Sequence, residues 1–245
     1  MGWASRFATR PDYSNAAAIQ QQRHHPSQSN QSNPMNAQTQ PFFISGAVGQ
    51  LECALDLPDP DTFAAPRGLA LVAHPHPLFG GTMDNKVAHT LARGFLALGY
   101  ATVRMNFRGV GKSEGVHDEG RGETDDMALL LTHMRQQYPD LPLALGGFSF
   151  GTFVQSQLQQ RLIEAGTPAE RLVLVGTAAG KWPLPTVPGN SILIHGELDE
   201  TIPLAWVLDW ARPQDIPVIV IPGADHFFHR RLQHIKTLMV EMWHR

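Results

Sequence analysis

Three residue types that together perform acyl transfer occur along this chain in a suggestive order. Ser149 lies within Gly147-Phe148-Ser149-Phe150-Gly151, Asp199 closes Gly196-Glu197-Leu198-Asp199, and His226 closes Pro222-Gly223-Ala224-Asp225-His226. A serine hydroxyl attacks a carbonyl effectively only when a base removes its proton. Histidine is such a base near neutral pH, and a carboxylate behind it fixes the ring tautomer and stabilises the imidazolium. Serine, then acid, then histidine is the chain order of one triad class. The residues leave Glu197 and Glu200 as rival acids and His229 as rival base, expected one turn into the next helix. Asp199 would also serve as the N-cap of a helix beginning near Ile202-Pro203.

A second G-x-S-x-G stretch, Gly111-Lys112-Ser113-Glu114-Gly115, competes with the first. A nucleophile turn needs a strand running into it and a helix leaving it at once. Leu141–Leu145 and a helix over Thr152–Ala165 meet that condition around Ser149. Gly115, Gly120 and Gly122 keep the chain after Ser113 in loop, so Ser113 reads as a loop-structuring residue. Lys112-Ser113 is not a phosphate loop, because Asn106 stands where the first glycine would be.

Attack on a carbonyl also needs N–H donors for the developing oxyanion. One is expected from Phe150, the residue after the nucleophile. The other is expected from His74-Pro75-His76-Pro77-Leu78-Phe79-Gly80-Gly81, where the prolines carry no N–H. His76 and Leu78 are the available donors, and His76 is preferred. The same His74-x-His76 pair is the one candidate for a metal site, but no carboxylate lies at a suitable spacing. Neither a metal nor a cofactor is expected.

The elements that must hold these residues follow from the apolar pattern. Short, nearly continuous runs at Leu69–Ala73, Ala101–Met105, Leu143–Leu145, Leu172–Val175, Ile192–Ile194 and Val218–Ile221 read as strands buried on both faces of a parallel sheet. Gly49–Leu57 alternates more and suits an outer antiparallel strand. Stripes at Met83, Val87, Leu91 and Phe95, at Met127, Leu130, Leu131 and Met134, and at Leu232, Ile235, Leu238, Met239 and Met242 read as helices. Strand and helix in alternation predict an α/β fold, a doubly wound, mostly parallel sheet with helices on both faces. Catalytic residues then belong at the carboxyl ends of the strands. Ser149, Asp199 and His226 each follow such an end.

Taken together, AHPHPLFGGTMDNKV (73–87), NFRGVGKSEG (106–115), GGFSFG (146–151), HGELDETIP (195–203) and GADHFF (223–228) resemble the α/β-hydrolase superfamily. More narrowly, the sequence is similar to a small capless bacterial group of predicted α/β-superfamily hydrolases. The resemblance covers residues 42–245. It implies Ser149, Asp199 and His226 as the triad and a structural role for the loop holding Ser113. Pro75 departs from the wider superfamily, where glycine is common. Many relatives carry a cap after the sixth strand, but only residues 176–190 are available here, so no cap domain and an open cleft are expected. Leu78, Phe79, Phe148 and Trp182 are candidate wall residues.

Composition sets the remaining bounds. The chain has 245 residues, 42% hydrophobic and 17% charged, with a net charge of −3. That balance disfavours nucleic acid or an anionic membrane as partner. No apolar run approaches the ~20 residues of a membrane span. Cys53 is the single cysteine. It is expected to be a buried strand residue, and its isolation suits a reducing, cytoplasmic setting. Residues 14–40 hold 11 amides in 27 positions and only one charged residue, Arg23. Residues 1–40 are therefore expected to form a disordered tail and residues 41–245 the hydrolase domain. A transit peptide, or translation beginning at Met35, are further readings of that segment. Without Arg6, Arg10, Arg23 and Asp12, the domain carries 16 basic and 21 acidic residues, net −5. The expected function is hydrolysis of a short- to medium-chain carboxylic ester or related small-molecule acyl compound through an acyl-enzyme. Acyl transfer or peptide cleavage on the same triad is the alternative, and a non-catalytic binding protein using the amide-rich segment is a further one.

Overall fold

The computed structural model describes residues 39–244. The amide-rich segment lies outside these residues except for Thr39 and Gln40, and Gln40 already belongs to a strand. Eight strands form one sheet: β1 (Gln40–Gly46), β2 (Gly49–Asp56), β3 (Gly68–Ala73), β4 (Tyr100–Met105), β5 (Leu143–Phe148), β6 (Arg171–Val175), β7 (Ile192–Gly196) and β8 (Val218–Ile221). Their order is β1-β2-β4-β3-β5-β6-β7-β8. β1 and β2 form an antiparallel hairpin, β2 is antiparallel to β4, and every later pairing is parallel. The outer position expected for residues 49–57 therefore belongs to β1, which covers β2. Cys53 is fully buried on β2, where desolvation pushes its thiol pKa up.

Five α-helices flank the sheet: α1 (Lys86–Ala97), α2 (Arg121–Gln137), α3 (Phe150–Glu164), α4 (Leu204–Ala211) and α5 (Leu232–Met242). Strand parity sorts the core into two layers, because successive side chains point to opposite faces. Leu69, Leu71, Leu172 and Leu174 pack with α2, α3 and α4, whereas Ala70, Val72, Val173 and Val175 pack with α1 and α5. Both faces are thus dry, which is why these strands are continuously apolar rather than alternating.

Helix starts differ from the apolar stripes in two places. Met83 precedes α1 by three residues; it is buried, and its N–H donates to Asn106 Oδ1 at 2.8 Å. Asn85 caps α1 instead, accepting from the Val87 and Ala88 N–H groups. α3 begins at Phe150 rather than Thr152, so the helix leaves Ser149 with no intervening residue. His229 is not helical: it lies in the turn before α5 and pairs with Asp225 at the surface. Residues 176–191, between β6 and β7, contain no helix.

Candidate active site

β5 delivers Ser149 on a strained turn. Its φ is 53° and its ψ is −121°. These values are rare for a side-chain-bearing residue, and such strain persists only where surroundings over-determine it. The neighbouring glycines are that constraint. A Cβ on Gly147 would stand 2.4 Å from the Gly151 carbonyl oxygen, and one on Gly151 would stand 2.4 Å from that of Ala73. The Ser149 N–H donates to the Val175 carbonyl at 3.0 Å, tying the turn to β6.

The turn after β7 delivers Asp199. Its Oδ1 accepts from the Thr201 and Ile202 N–H groups at 2.9 and 2.7 Å, while Oδ2 lies 2.7 Å from His226 Nδ1. Asp199 is not a helix N-cap, because α4 starts only at Leu204 with Pro203 at its cap position. Oδ1 instead braces the turn through residues 200–202, while Oδ2 faces the histidine. The loop after β8 delivers His226, whose Nε2 is 3.0 Å from Ser149 Oγ. With the carboxylate on the Nδ1 side, Nδ1 carries the proton and Nε2 is left to accept from the serine hydroxyl. The imidazole rests on Phe148, ring centroids 5.0 Å apart. Glu197, the rival acid, instead accepts from the Gly223 N–H at the surface.

One contributor was not anticipated. His195, fully buried on β7, donates from Nε2 to the Ile202 carbonyl at 2.9 Å and stands 3.5 Å from Asp199 Oδ2. Burial lowers its pKa, so the neutral ring braces the turn that presents Asp199. The sequence signal was a titratable residue closing an apolar strand one position before its terminal glycine.

The loop after β3 forms the opposite wall. His74 is buried and bonded at both nitrogens, with Nδ1 donating to the Pro75 carbonyl at 2.6 Å and Nε2 accepting the Phe107 N–H at 2.9 Å. Its pKa is pushed down to about 3 by desolvation, and its nitrogens are committed to the backbone rather than free for a metal. Among the described residues no group of three or more metal-ligating side chains gathers. His76 accepts the Leu78 N–H on Nδ1 at 3.2 Å, which removes Leu78 from the possible oxyanion donors. The His76 N–H itself has no described acceptor, and neither has that of Phe150. Phe150 lies in the first turn of α3, where helical partners are lacking. Burial, and then the neighbouring His117, lower the His76 pKa to about 4. His117 in turn pairs with buried Glu123 at 2.8 Å, a contact between a loop and the start of α2 that no local pattern announces.

A cleft of about 320 Å³ opens above Ser149 and His226, with Pro75, His76, Phe79 and Phe227 among its walls. Of the four expected wall residues, Phe79 lines it. Phe148 is fully buried beneath His226 because its position on β5 points toward the α1 and α5 layer. Trp182 packs on Phe150 and stacks on Phe153 behind the cleft, and Leu78 projects outward, 71% exposed. Phe227 is the wall residue that sequence reasoning missed. Ser113 sits elsewhere, with Oγ donating to the Asn106 carbonyl at 2.7 Å and accepting the Glu52 N–H at 2.9 Å.

The mostly parallel sheet, the strained serine turn and the polar chain behind it define an α/β-hydrolase. The sequence matches the serine aminopeptidase S33 family (Hydrolase_4) over residues 69–230. The chain belongs to this family, and it is a serine hydrolase of the α/β fold. Among solved structures it is similar to XC6422 from Xanthomonas campestris, a serine hydrolase without lid. The TM-score is 0.79 at 34% identity, over 87% of this chain and 97% of that one. Among curated proteins it is 34% identical to the uncharacterized protein RP471 of Rickettsia prowazekii, over 67% of this chain and 74% of that one. A shorter stretch is 41% identical to the lysophosphatidylserine lipase ABHD12 of Danio rerio. It covers 32% of this chain but only 20% of that lipase. No helix among the described residues is long and apolar enough to cross a membrane.

Proposed function

We propose that the chain cleaves a short- to medium-chain carboxylic ester, or a related acyl compound, on Ser149, His226 and Asp199. The observation carrying this reading is the continuous polar chain on a strained turn, Ser149 Oγ to His226 Nε2 at 3.0 Å and His226 Nδ1 to Asp199 Oδ2 at 2.7 Å. In the first step Ser149 Oγ bonds to the substrate carbonyl carbon and its proton passes to His226 Nε2. The imidazolium is stabilised by Asp199, which stays ionised. The negative carbonyl oxygen is received by the Phe150 and His76 N–H groups, each such donor contributing about 2.7–4 kcal/mol to transition-state stabilisation. As the tetrahedral adduct collapses, the ester bond breaks and His226 returns the proton to the leaving alcohol. Water, deprotonated by the same nitrogen, then releases the acid and restores Ser149.

Peptide cleavage is the second reading, favoured by the description of the matching family as a serine aminopeptidase. A free peptide amino terminus is cationic and calls for a carboxylate in the site, but no Asp or Glu lines the cleft. The stretch shared with a lipase also supports an ester. The cleft volume is about 320 Å³. That is near the small end of ligand sites, whose volumes begin at roughly 300 Å³.

Fluorophosphonate labelling followed by peptide mapping tests the nucleophile. The label is expected on Ser149, and Ser149→Ala should lower kcat on the order of 10⁶-fold. Label on another residue, or none on the folded protein, would overturn the mechanism. Aryl esters graded from acetate to palmitate test the chain-length reading, which a maximum at palmitate would contradict.

A further inference from the structure

The polar groups of the cleft are unevenly charged. Besides Ser149 and His226 it is lined by Asn85, Thr201 and Lys181, so it holds one ammonium and no carboxylate. Asp199 is 5% exposed and bonded behind His226, and Glu123 is buried and bonded to His117. Among the described residues no carboxylate pairs with Lys181; the ion pairs of the domain lie elsewhere. Residues 41–245 carry a net charge of −5, so this cation runs against the sign of its domain.

The Lys181 backbone is anchored. It follows β6, the strand next to β5, and its N–H donates to the Ala178 carbonyl at 3.3 Å. On one side Gly180 adopts φ 74°, and the Trp206 indole occupies the space where a Cβ would stand, 2.7 Å away. On the other side Trp182 is fixed by its stack on Phe153, 5.2 Å between centroids. Lys181 thus projects from a short segment held at both flanks by tryptophans. Its charge also reaches across to His76, where it is one of the influences keeping that ring neutral.

We propose that Lys181 forms an anion-recognising corner of the cleft, and that the substrate is an ester bearing a carboxylate or phosphate group in addition to its scissile bond. This rests on the ester-hydrolase reading above. The apolar walls at Phe79 and Phe227 take the hydrocarbon part, while the ammonium takes the anionic end. Asn85 and Thr201 are further hydrogen-bonding residues of the cleft lining. A phosphate monoester and a carboxylate share this chemistry, and only the substrate series separates them.

The test compares kcat/KM for four 4-nitrophenyl esters of matched acyl length: a neutral butanoate, a glutarate monoester, a 4-phosphonobutanoate and a 4-trimethylammoniobutanoate. The full chain is expected to favour an anionic ester over the neutral one by about tenfold at low salt and to disfavour the cationic one. The preference should shrink as salt screens an exposed pair over ~8–10 Å. Lys181→Met should bring the anionic-to-neutral ratio to near one, Lys181→Glu should invert it, and Lys181→Arg should preserve it. The side chain is exposed, so these variants should keep the fold. Whichever anionic ester shows the larger ratio identifies the group. A ratio of one or less in the wild type, or a ratio unchanged in Lys181→Met, overturns the proposal and leaves the hydrolase reading intact. If Ser149 is labelled but none of the esters turns over, labelling rates by neutral and carboxylate-bearing fluorophosphonates decide it by the same ratio. If Ser149 is not labelled at all, the hydrolase reading fails and this one with it.

Discussion

Replacing Asp199 by asparagine separates two sets of contacts that one carboxylate makes, and so tests its proposed place in the triad. Oδ1 accepts two backbone N–H groups, from Thr201 and Ile202, and an amide oxygen accepts them equally well. Oδ2 accepts His226 Nδ1–H, and an asparagine NH₂ in that place offers only donors. The ring must then accept on Nδ1, which moves its proton to Nε2 and points a donor at Ser149 Oγ. A histidine in that tautomer cannot take the serine proton. The expected loss in kcat for Asp199→Asn is about 10⁴-fold, the size of effect seen when a triad carboxylate becomes an amide. Stability should scarcely change. Asp199→Ala instead removes the acceptor of both N–H groups, and the buried Ile202 N–H has no simple route to water. That should cost roughly 1–3 kcal/mol, or about 2–12 °C in Tm for a domain of this size. Ester turnover and thermal unfolding of the two variants form the assay. Retention of more than about a tenth of kcat by Asp199→Asn would refute the tautomer argument. Equal losses of Tm in the two variants would refute the turn-bracing role of Oδ1.

Two further perturbations probe the frame around the site. A Cβ at Gly151 meets the backbone carbonyls of Ala73 and His74 at 2.4 and 2.7 Å, whereas one at Gly80 meets nothing within 4 Å. Gly151→Ala should therefore cost more than about 3 kcal/mol by urea unfolding and displace the serine turn, while Gly80→Ala should cost only the ~1–2 kcal/mol of left-handed strain; similar losses would contradict the close approach. For His74, a folded pKa of about 3 lies below the ordinary value of 6.5, so the unfolded chain binds a proton that the folded chain refuses. Its stabilising effect is complete above pH 6.5 and is lost as the pH falls toward 3, about 2–3 kcal/mol of it between pH 7 and pH 4.5. His74→Gln should flatten that part of the urea stability profile, and a profile as steep as wild type would show that the ring is not held neutral.

Much of the frame was legible because burial on both faces leaves a local mark. The Val-, Leu- and Ile-rich runs of β3 to β8 carry it, and the three site residues could be placed at strand ends by counting along the chain. β1 was missed because Pro41-Phe42-Phe43-Ile44 follows an amide-rich segment and stands at the sheet edge, partly exposed, where the buried-strand pattern fades. Phe148 was expected in the cleft wall, although strand parity was enough to turn it away: Ala144 and Phe148 share one face of β5, and Leu143 and Leu145 the other. His195, Phe227, Lys181 and the His117–Glu123 pair could not be assigned by such counting, since their roles depend on which loops meet above the sheet. Long-range contacts of that kind leave no periodic trace.

The same distinction bears on the oxyanion donors. Along residues 75–81 the prolines have no N–H, Leu78 donates to the His76 ring, Phe79 and Gly81 donate to the His76 carbonyl, and Gly80 donates to that of Pro77. Only the His76 N–H is left over. In the first turn of α3, Thr152 donates back to the Ser149 carbonyl, whereas the Phe150 and Gly151 N–H groups have no described acceptor. Phe150 is the one adjacent to the nucleophile. Backbone N–H groups near a protein interior rarely go without acceptors, so the uncommitted His76 and Phe150 donors beside a strained serine support the proposed reception of an anionic oxygen during the reaction. The proposed His76 donor does not depend on the usual glycine at position 75: the proposed donor is the next residue, and proline at 75 fixes the backbone leading into it.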